Sequence, residues 1–127
     1  MKDNSQKEMS HNKLIGIIGE EIAAHELELR GLRIIARNEE TSAGEIDIVF
    51  EDQGELVFCE VKTRENLYFG PPECAITKHK QRQMRRSAVA YLASHGIEDR
   101  VCRFDVFAIL LTKGQPEITY FKDAINL

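Results

Sequence analysis

The chain has 127 residues, of which 43% are hydrophobic and 30% are charged, and its formal net charge is −4. A chain of this length can bury a core without a disulfide or metal staple, and the composition is that of a soluble globular protein. The mild acidity disfavours a uniformly basic nucleic-acid binder but leaves room for a local basic stripe.

The first predicted element is a helix at residues 12–30, preceded by a polar tail at residues 1–11 that we expect to be disordered. Apolar residues recur at helical spacing in this segment, and Gly31 is suited to ending the helix. A short strand at residues 32–38 and a loop at residues 38–44 come next. The predicted apolar stripe of the helix comprises Ile15, Ile18, Ile22 and Leu29.

A β-hairpin, a second helix and two further strands follow. Thr77 is a good N-cap for the second helix, and His95-Gly96 is expected to end it. The order α-β-β-β-α-β-β predicts an α/β fold, in which a mixed sheet is flanked by helices within a single domain at residues 12–127. The predicted bounds are 45–51 and 55–62 for the hairpin strands, 77–94 for the helix, and 102–111 and 117–121 for the last two strands.

The hairpin, GEIDIVFEDQGELVFCEVKTR, carries charged residues inside two strands of good β-formers. With Gln53-Gly54 at the centre of its turn, the register places Asp47 across from Glu60 and Glu45 across from Lys62. Alternation then gives the hairpin one face with three acids and a lysine. The opposite face is predicted to be almost purely apolar and comprises Ile46, Ile48, Phe50, Val57, Cys59 and Val61.

Two interpretations of the charged face are open. It can be a solvated face with a Glu45–Lys62 ion pair, which would contribute little to stability. However, directly opposed like charges are destabilising, so Asp47 and Glu60 call for a cation between them. Lys62 could serve, and Mg²⁺ suits better because it takes one or two carboxylates together with water and phosphate. Such a site could hydrolyse a phosphodiester, with the lysine orienting the attacking water or stabilising the transition state.

The second predicted helix carries a basic stripe. Between residues 62 and 86 the sequence has seven basic and two acidic residues. This stripe is either a solvated helix face or a contact for a nucleic-acid backbone, and its place directly after the acids favours the second interpretation. Gln81 touches the site or substrate, or else lies on the surface. The predicted nucleic-acid contacts are Lys78, Lys80, Gln81, Arg82, Arg85 and Arg86.

Other residues leave alternatives open. Tyr68 and Phe69 either anchor their loop to the core, stack on a base or pack a dimer. Asp105 lies two residues after Arg103 in an apolar strand. It either forms a structural ion pair with Arg103 or supports the site residues.

Cysteine usage and hydropathy predict a compartment. Cys59, Cys74 and Cys102 are widely spaced and form no CxxC pair, which indicates reduced thiols in a cytoplasmic protein. The N-terminal residues lack the apolar segment of a secretory signal, and no apolar run is long enough to span a membrane.

Four blocks, in this order and spacing, resemble the YraN-type family of small bacterial endonuclease-like proteins, in the PD-(D/E)XK superfamily. An E-x-K triplet alone is a weak signal, whereas the ordered set covers nearly the whole chain after the tail. The blocks are GEEIAAHELELRGLRIIARN at 19–38, GEIDIVFEDQGELVFCEVKTR at 44–64, AITKHKQRQMRRSAVAYL at 75–92 and CRFDVFAI at 102–109.

The resemblance implies a restriction-endonuclease-like core, similar to that of archaeal Holliday-junction resolvases. It further implies that Asp47 and Glu60 are ligands of Mg²⁺ or Mn²⁺, that Lys62 is the catalytic lysine, and that Glu20 is a further metal-binding acid from the first helix. By its surroundings alone, Glu20 would be an ordinary surface acid.

We therefore expect a metal-dependent nuclease acting on DNA, and the similarity to resolvases implies structured DNA as its substrate. The rival expectation is a non-catalytic nucleic-acid-binding module that kept the fold. A third is a structural or interaction protein, and a homodimer through the last strands is left open.

Overall fold

The structure is a computed structural model that describes residues 10–125. Of the predicted tail, only Ser10 and His11 fall within the described residues. Helix α1 spans His11–Leu29, and the Ser10 Oγ caps it by accepting a hydrogen bond from the backbone N–H of Lys13 at 3.2 Å. The helix thus begins one residue before its predicted start.

The buried face of α1 coincides only in part with the predicted isoleucine stripe, of which Ile22 packs against the core. Leu29 is 70% exposed and Ile18 is 38% exposed, whereas the buried residues of the helix are Gly19, Ala23, Ala24 and Leu27. Small side chains let the helix approach the sheet closely. A methyl group at Gly19 would lie 1.7 Å from Thr63 Oγ1, so the contact between the helix backbone and the Thr63 side chain requires glycine.

Five strands form one mixed sheet in the spatial order β1-β2-β3-β4-β5. Strands β3 and β4 are parallel, and every other neighbouring pair is antiparallel. Helix α2 lies in the connection between β3 and β4, and the element order is the predicted one, so the α/β class is confirmed. The bounds are Arg33–Thr41, Gly44–Asp52, Glu55–Arg64, Cys102–Leu110 and Glu117–Phe121 for the strands, Pro72–Ala75 for a short 3₁₀ helix, and Lys78–Ser94 for α2.

The first two strands also form a hairpin, where a loop was predicted for residues 38–44. Glu39 and Glu40 lie within β1 and pair with residues of β2. Thr41 closes the turn, since its Oγ1 accepts hydrogen bonds from the backbone N–H groups of Ala43 and Gly44 and donates to the Gly44 carbonyl.

The hairpin between β2 and β3 turns where the sequence predicts. Gln53 and Gly54 have φ values of 51° and 82°, the positive pair that a two-residue hairpin turn prefers. Asp52 pairs with Glu55, and the same register continues to Ile48 and Cys59. The predicted register is therefore confirmed over this length.

Each face of the sheet is covered by one helix. Residues 48, 50, 57, 59 and 61 pack with α1, and residues 49, 56 and 58 pack with α2. Ile46 was predicted to share a face with Ile48 but packs in the α2 cluster instead. Two residues that are two apart thus face opposite sides, and the alternation of β2 breaks at Asp47.

Strand β4 carries a buried ion-pair network, which we call the Arg103 network and which comprises Asp52, Glu55, Arg103, Asp105 and Tyr120. Asp105 is fully buried, and the Arg103 guanidinium donates to both of its oxygens, at 2.9 and 2.8 Å. The Tyr120 hydroxyl also donates to Asp105, while Arg103 reaches Asp52 at 3.0 Å and Glu55 at 3.2 Å. Of the two alternatives for Asp105, the structure shows the structural ion pair.

The remaining expectations concern cysteines and membranes. All three cysteines are free, and Cys59 and Cys102 contribute to the two core clusters. Within residues 10–125, no helix is both long and apolar enough to cross a membrane.

Candidate active site

The predicted acidic pair lies where the β2–β3 ladder ends. Beyond Ile48 and Cys59 the two strands no longer pair as a regular ladder. In its place, Asp47 Oδ2 accepts a hydrogen bond from the backbone N–H of Val61 at 2.9 Å. This bond places the Asp47 carboxylate between the strands and next to Glu60, so the hairpin brings the two acids together as predicted.

The two carboxyls are held in an environment that disfavours their charged forms. Glu60 is only 9% exposed, and burial together with the charge of Asp47 raises its pKa to about 7. Burial also raises the pKa of Asp47, although the Val61 hydrogen bond and the charges of Lys80 and Lys62 act in the opposite direction. The pair therefore binds protons more readily than isolated carboxyls would.

Glu20 joins the acids from helix α1. It follows Gly19, so the close approach of the helix to Thr63 carries Glu20 to the edge of the site. Burial, then the charges of Asp47 and Glu45, raise its pKa to about 7. This makes Glu20 part of the acidic cluster and not an ordinary surface acid.

Asn38 connects Glu20 with Glu45. In the amide orientation that satisfies both of its polar atoms, its nitrogen donates to Glu20 Oε1 at 2.6 Å and to Glu45 Oε1 at 3.1 Å. The backbone of Asn38 has a φ of 49°, a left-handed conformation that asparagine tolerates better than most residues. These residues line an open groove of about 450 Å³ together with Lys13, Gly16 and Ile17.

Two lysines face the acids, and they differ in their contacts. Lys80 Nζ lies 3.1 Å from Glu60 Oε1, an ion pair between α2 and β3. Lys62 is half-buried and acts on Asp47 through its charge, lowering the pKa of that carboxyl. Among the ion pairs of residues 10–125 none joins Glu45 to Lys62, which is the pair that the solvated-face interpretation required.

Helix α2 divides the predicted basic stripe into two groups. Lys78, Arg82 and Arg86 are exposed and follow one another at intervals of four, so they form one ridge on the outside of the helix. Lys80, Gln81 and Arg85 are partly buried, and the Gln81 amide donates to the Ile76 carbonyl at 3.4 Å. We call the first group the exposed basic ridge.

The carboxylates of the candidate site suit a cation that takes few protein ligands. Within residues 10–125, no three or more His, Cys, Asp or Glu side chains converge closely enough to form a metal cage. Asp47 and Glu60 are in mutual contact, and Glu20 interacts with Asp47. Mg²⁺ is commonly bound by one or two carboxylates plus water and substrate phosphate, so the adjacent pair fits such a site without a cage.

Sequence reasoning missed two participants. Asn38 was assigned to a loop boundary, although an asparagine within a strand pattern is a sign of left-handed backbone. Lys80 was assigned to the nucleic-acid contacts, whereas it lies on Glu60. Its position, two residues after Lys78 on a helix, places it on a different face from the exposed basic ridge, and helical periodicity alone could have shown this.

Comparison with known proteins gives a consistent result. Residues 19–109 match the model of a family described as "Uncharacterised protein family UPF0102". A UPF0102 protein of Geobacter sulfurreducens is 45% identical over 118 residues, which cover 92% of each chain. Another from Pelobacter propionicus is 47% identical over 105 residues, covering 81% of this chain and 75% of the relative. A third from Rhodococcus jostii is 42% identical over 117 residues, covering 91% of this chain and 99% of the relative.

The matched segment contains Glu20, Asp47, Glu60 and Lys62, together with the whole of helix α2. The candidate active site therefore lies entirely within the part of the chain that the family shares. On this match and these identities, the chain belongs to the UPF0102 family.

Proposed function

We propose that the protein is a metal-dependent nuclease of the PD-(D/E)XK type that hydrolyses phosphodiester bonds in DNA. The observation that carries the proposal is the cluster of Asp47, Glu60 and Glu20, whose carboxyls are packed together although burial and mutual repulsion raise their pKa values. Stability alone gives no reason to gather like charges in a half-buried place. A site for a cation and a phosphate does.

Each residue has a role in this proposal. Asp47 and Glu60 would hold Mg²⁺ or Mn²⁺, which when bound neutralises charge on the phosphate and acidifies a water. Asp47 is fixed for this purpose by its hydrogen bond from Val61. Lys62 orients the attacking water or stabilises the charge that develops on the phosphate.

Glu20 and the basic residues serve positioning and binding. Glu20, held by Asn38, orders water on the groove side of Asp47. Lys80 balances the charge of Glu60 in the free protein, and its ammonium lies where it could also contact a phosphate. The exposed basic ridge binds the DNA backbone, since such contacts come from lysine and arginine on one face.

The test is cleavage of labelled four-way junction, flap, single-stranded and linear duplex DNA, in Mg²⁺ and separately in Mn²⁺. We expect metal-dependent cutting of at least one substrate, and a loss of at least about 100-fold in the Asp47→Asn/Glu60→Gln variant. Glu55→Gln, the same exchange at the more exposed edge of the Arg103 network, provides the matched control. No cutting of any substrate by the wild type in either metal would contradict the proposal.

One observation favours a second candidate, a DNA-binding module without turnover. The Lys80–Glu60 ion pair occupies the carboxylate that a metal would need. This candidate predicts DNA binding that needs no divalent metal and survives Asp47→Ala. Binding that is intact in EDTA, combined with an absence of cutting, would decide in its favour.

A further inference from the structure

A cavity lies directly beside the candidate active site and takes no part in the roles given above. It has a volume of about 190 Å³, below the roughly 300–1,000 Å³ of pockets that hold drug-sized molecules. It therefore suits a single ring system better than a larger ligand. Its lining residues are Glu73, Ile76, Gln81, Val106, Phe121, Ala124 and Ile125.

The cavity adjoins the acids through two elements. Val106 is the register partner of Glu60 on the neighbouring parallel strand, so the floor of the cavity continues from the acidic strand. Gln81 follows Lys80, whose ammonium lies on Glu60. A group bound in the cavity would thus sit next to whatever phosphate the acids and Lys80 handle.

The walls have the chemistry of a pocket for a flat heterocycle. Val106 and Ile125 form a buried apolar floor, and Phe121 adds an aromatic ring. Two polar groups stand among these apolar walls, the Gln81 amide and the Glu73 carboxylate. Apolar walls with a few convergent polar groups are typical of ligand pockets, and both groups can hydrogen-bond the edge of a nucleobase.

A second observation concerns exposed aromatic residues in the loop that precedes Glu73. Tyr68 is 87% exposed and Phe69 is 82% exposed, in the loop that leads into the 3₁₀ helix. The neighbouring Leu67 lines a second cavity, of about 140 Å³, and Glu73 lines both this cavity and the first one. The loop anchor that was one alternative for Tyr68 and Phe69 does not fit this exposure, whereas stacking against unpaired bases and packing against a second copy both fit it.

We propose that the cavity beneath Gln81 and Phe121 receives an unpaired or extruded nucleobase of the nucleic acid bound at the site. The inference rests on the proposed function and names its substrate class: DNA with a base outside the helical stack. Removing a base from the stack costs least where it is already unpaired, so the pocket selects bulges, junctions and flaps over intact duplex. Tyr68 and Phe69 stack on the bases that the unpaired nucleotide leaves exposed.

The test fills the cavity without removing any of its polar groups. Ala124→Leu places a larger side chain at the exposed lip of the cavity, and the Ala124 backbone hydrogen bond to Phe104 does not depend on the side chain. Ala93→Leu, the same change at an exposed position of α2 outside the cavity, is the matched control. Fluorescence anisotropy in EDTA measures the affinity for a labelled duplex with one unpaired adenine and for the fully paired duplex, after circular dichroism has shown that both variants fold.

We expect the wild type and Ala93→Leu to bind the bulged duplex about tenfold more tightly than the paired one. Ala124→Leu should bind both duplexes equally. Equal binding of both duplexes by the wild type, a preference that Ala124→Leu retains, or no binding of either duplex would overturn the assignment.

Cleavage in Mg²⁺ and Mn²⁺ is measured on the same two duplexes, so that the two proposals fail separately. A preference for the unpaired base without cutting would contradict the nuclease proposal and support the base pocket. Cutting without a preference for the unpaired base would contradict the base pocket and support the nuclease proposal.

Discussion

The protein holds two groups of acids, and their surroundings shift the pKa values of the two groups in opposite directions. In the Arg103 network, every carboxylate meets a cation: Asp105 and Asp52 accept from Arg103, and Asp52 also lies 3.4 Å from Lys122. Hydrogen bonds and charges from these two cations lower the pKa of Asp52 despite partial burial. In the candidate site, the pKa values of Glu20 and Glu60 are instead raised to about 7.

Under the proposed function, the difference separates acids that hold the fold together from acids that await a ligand. In the Arg103 network, Asp105 ties β4 to β5 and the chain after it through Tyr120 and Asp123, and Arg103 ties β4 to Asp52 and Glu55 of the neighbouring hairpin. The candidate site gathers Asp47, Glu20 and Glu60, and within residues 10–125 the one direct ion pair to these acids comes from Lys80. Acids that lower stability where they stand are expected where a ligand supplies the missing charge.

The strongest test of the structural half is Asp105→Asn. Arg103, whose side chain is 11% exposed, would lose its main partner inside the protein. We expect the free energy of unfolding in urea to fall by about 3–5 kcal/mol, as for other broken buried pairs. Glu55→Gln, at the more exposed edge of the same network, should cost under about 1 kcal/mol. Equal, small losses in both variants would contradict the account of the network.

Two glycines three residues apart test whether helix α1 approaches Thr63 closely enough to place Glu20 at the site. Gly19→Ala would force a methyl group against Thr63, and we expect it to destabilise the protein by about 1–3 kcal/mol. Gly16→Ala meets no atom within 4 Å and should stabilise the helix by about 0.5–1 kcal/mol. Thermal unfolding of both variants measures the contrast, and a shift of the same sign in both would show that the helix does not approach Thr63 so closely.

The exposed basic ridge is tested by the salt dependence of DNA binding. Replacing Lys78, Arg82 and Arg86 with alanine should lower the slope of log affinity against log salt by about 2–3, because up to three phosphate contacts disappear. Lys113→Ala, in the exposed turn after β4, should leave the slope unchanged. An unchanged slope in the triple variant would assign the ridge to solvent.

The smallest expected effect is a change in pH dependence. Because the pKa of Glu60 is about 7 in the folded protein and 4.5 is its ordinary value, folding favours the protonated form. The stability that this group contributes is therefore complete below about pH 4.5 and is lost as the pH rises to about 7. Glu60→Gln should remove this decline and raise the free energy of unfolding at pH 8 by about 1 kcal/mol. A destabilised variant at pH 8 would mean that the Lys80 ion pair outweighs the cost of burying Glu60.

Much of the fold follows from local signals in the sequence. The Gln53-Gly54 turn determined the hairpin register, and the Thr77 cap predicted the start of α2. Both signals act over a few residues, where turn geometry and capping hydrogen bonds dominate. The confirmed register ends at Ile48 and Cys59, and the hydrogen bond from Val61 to the Asp47 carboxylate completes the approach of Asp47 to Glu60.

The errors arise where tertiary contacts override a local pattern. The isoleucine stripe of α1 has the stronger hydrophobic signal, but the close contact of Gly19 with Thr63 selects the small-residue face instead. Ile46 changes faces because the Asp47 side chain, and not the backbone, accepts from Val61. Neither the Lys80–Glu60 ion pair nor the Asn38 bridge could be predicted, because each depends on how a separate element is docked.

The measurement that tests the central claim most directly is the rate of metal-dependent DNA cleavage by Glu60→Gln compared with Glu55→Gln. The two variants carry the same chemical change on the same strand, one in the candidate site and one in the Arg103 network. The account predicts that cleavage falls at least about 100-fold in Glu60→Gln and stays within about twofold of wild type in Glu55→Gln. Equal rates in the two variants, or a loss confined to Glu55→Gln, would contradict the assignment of the raised-pKa acids to catalysis.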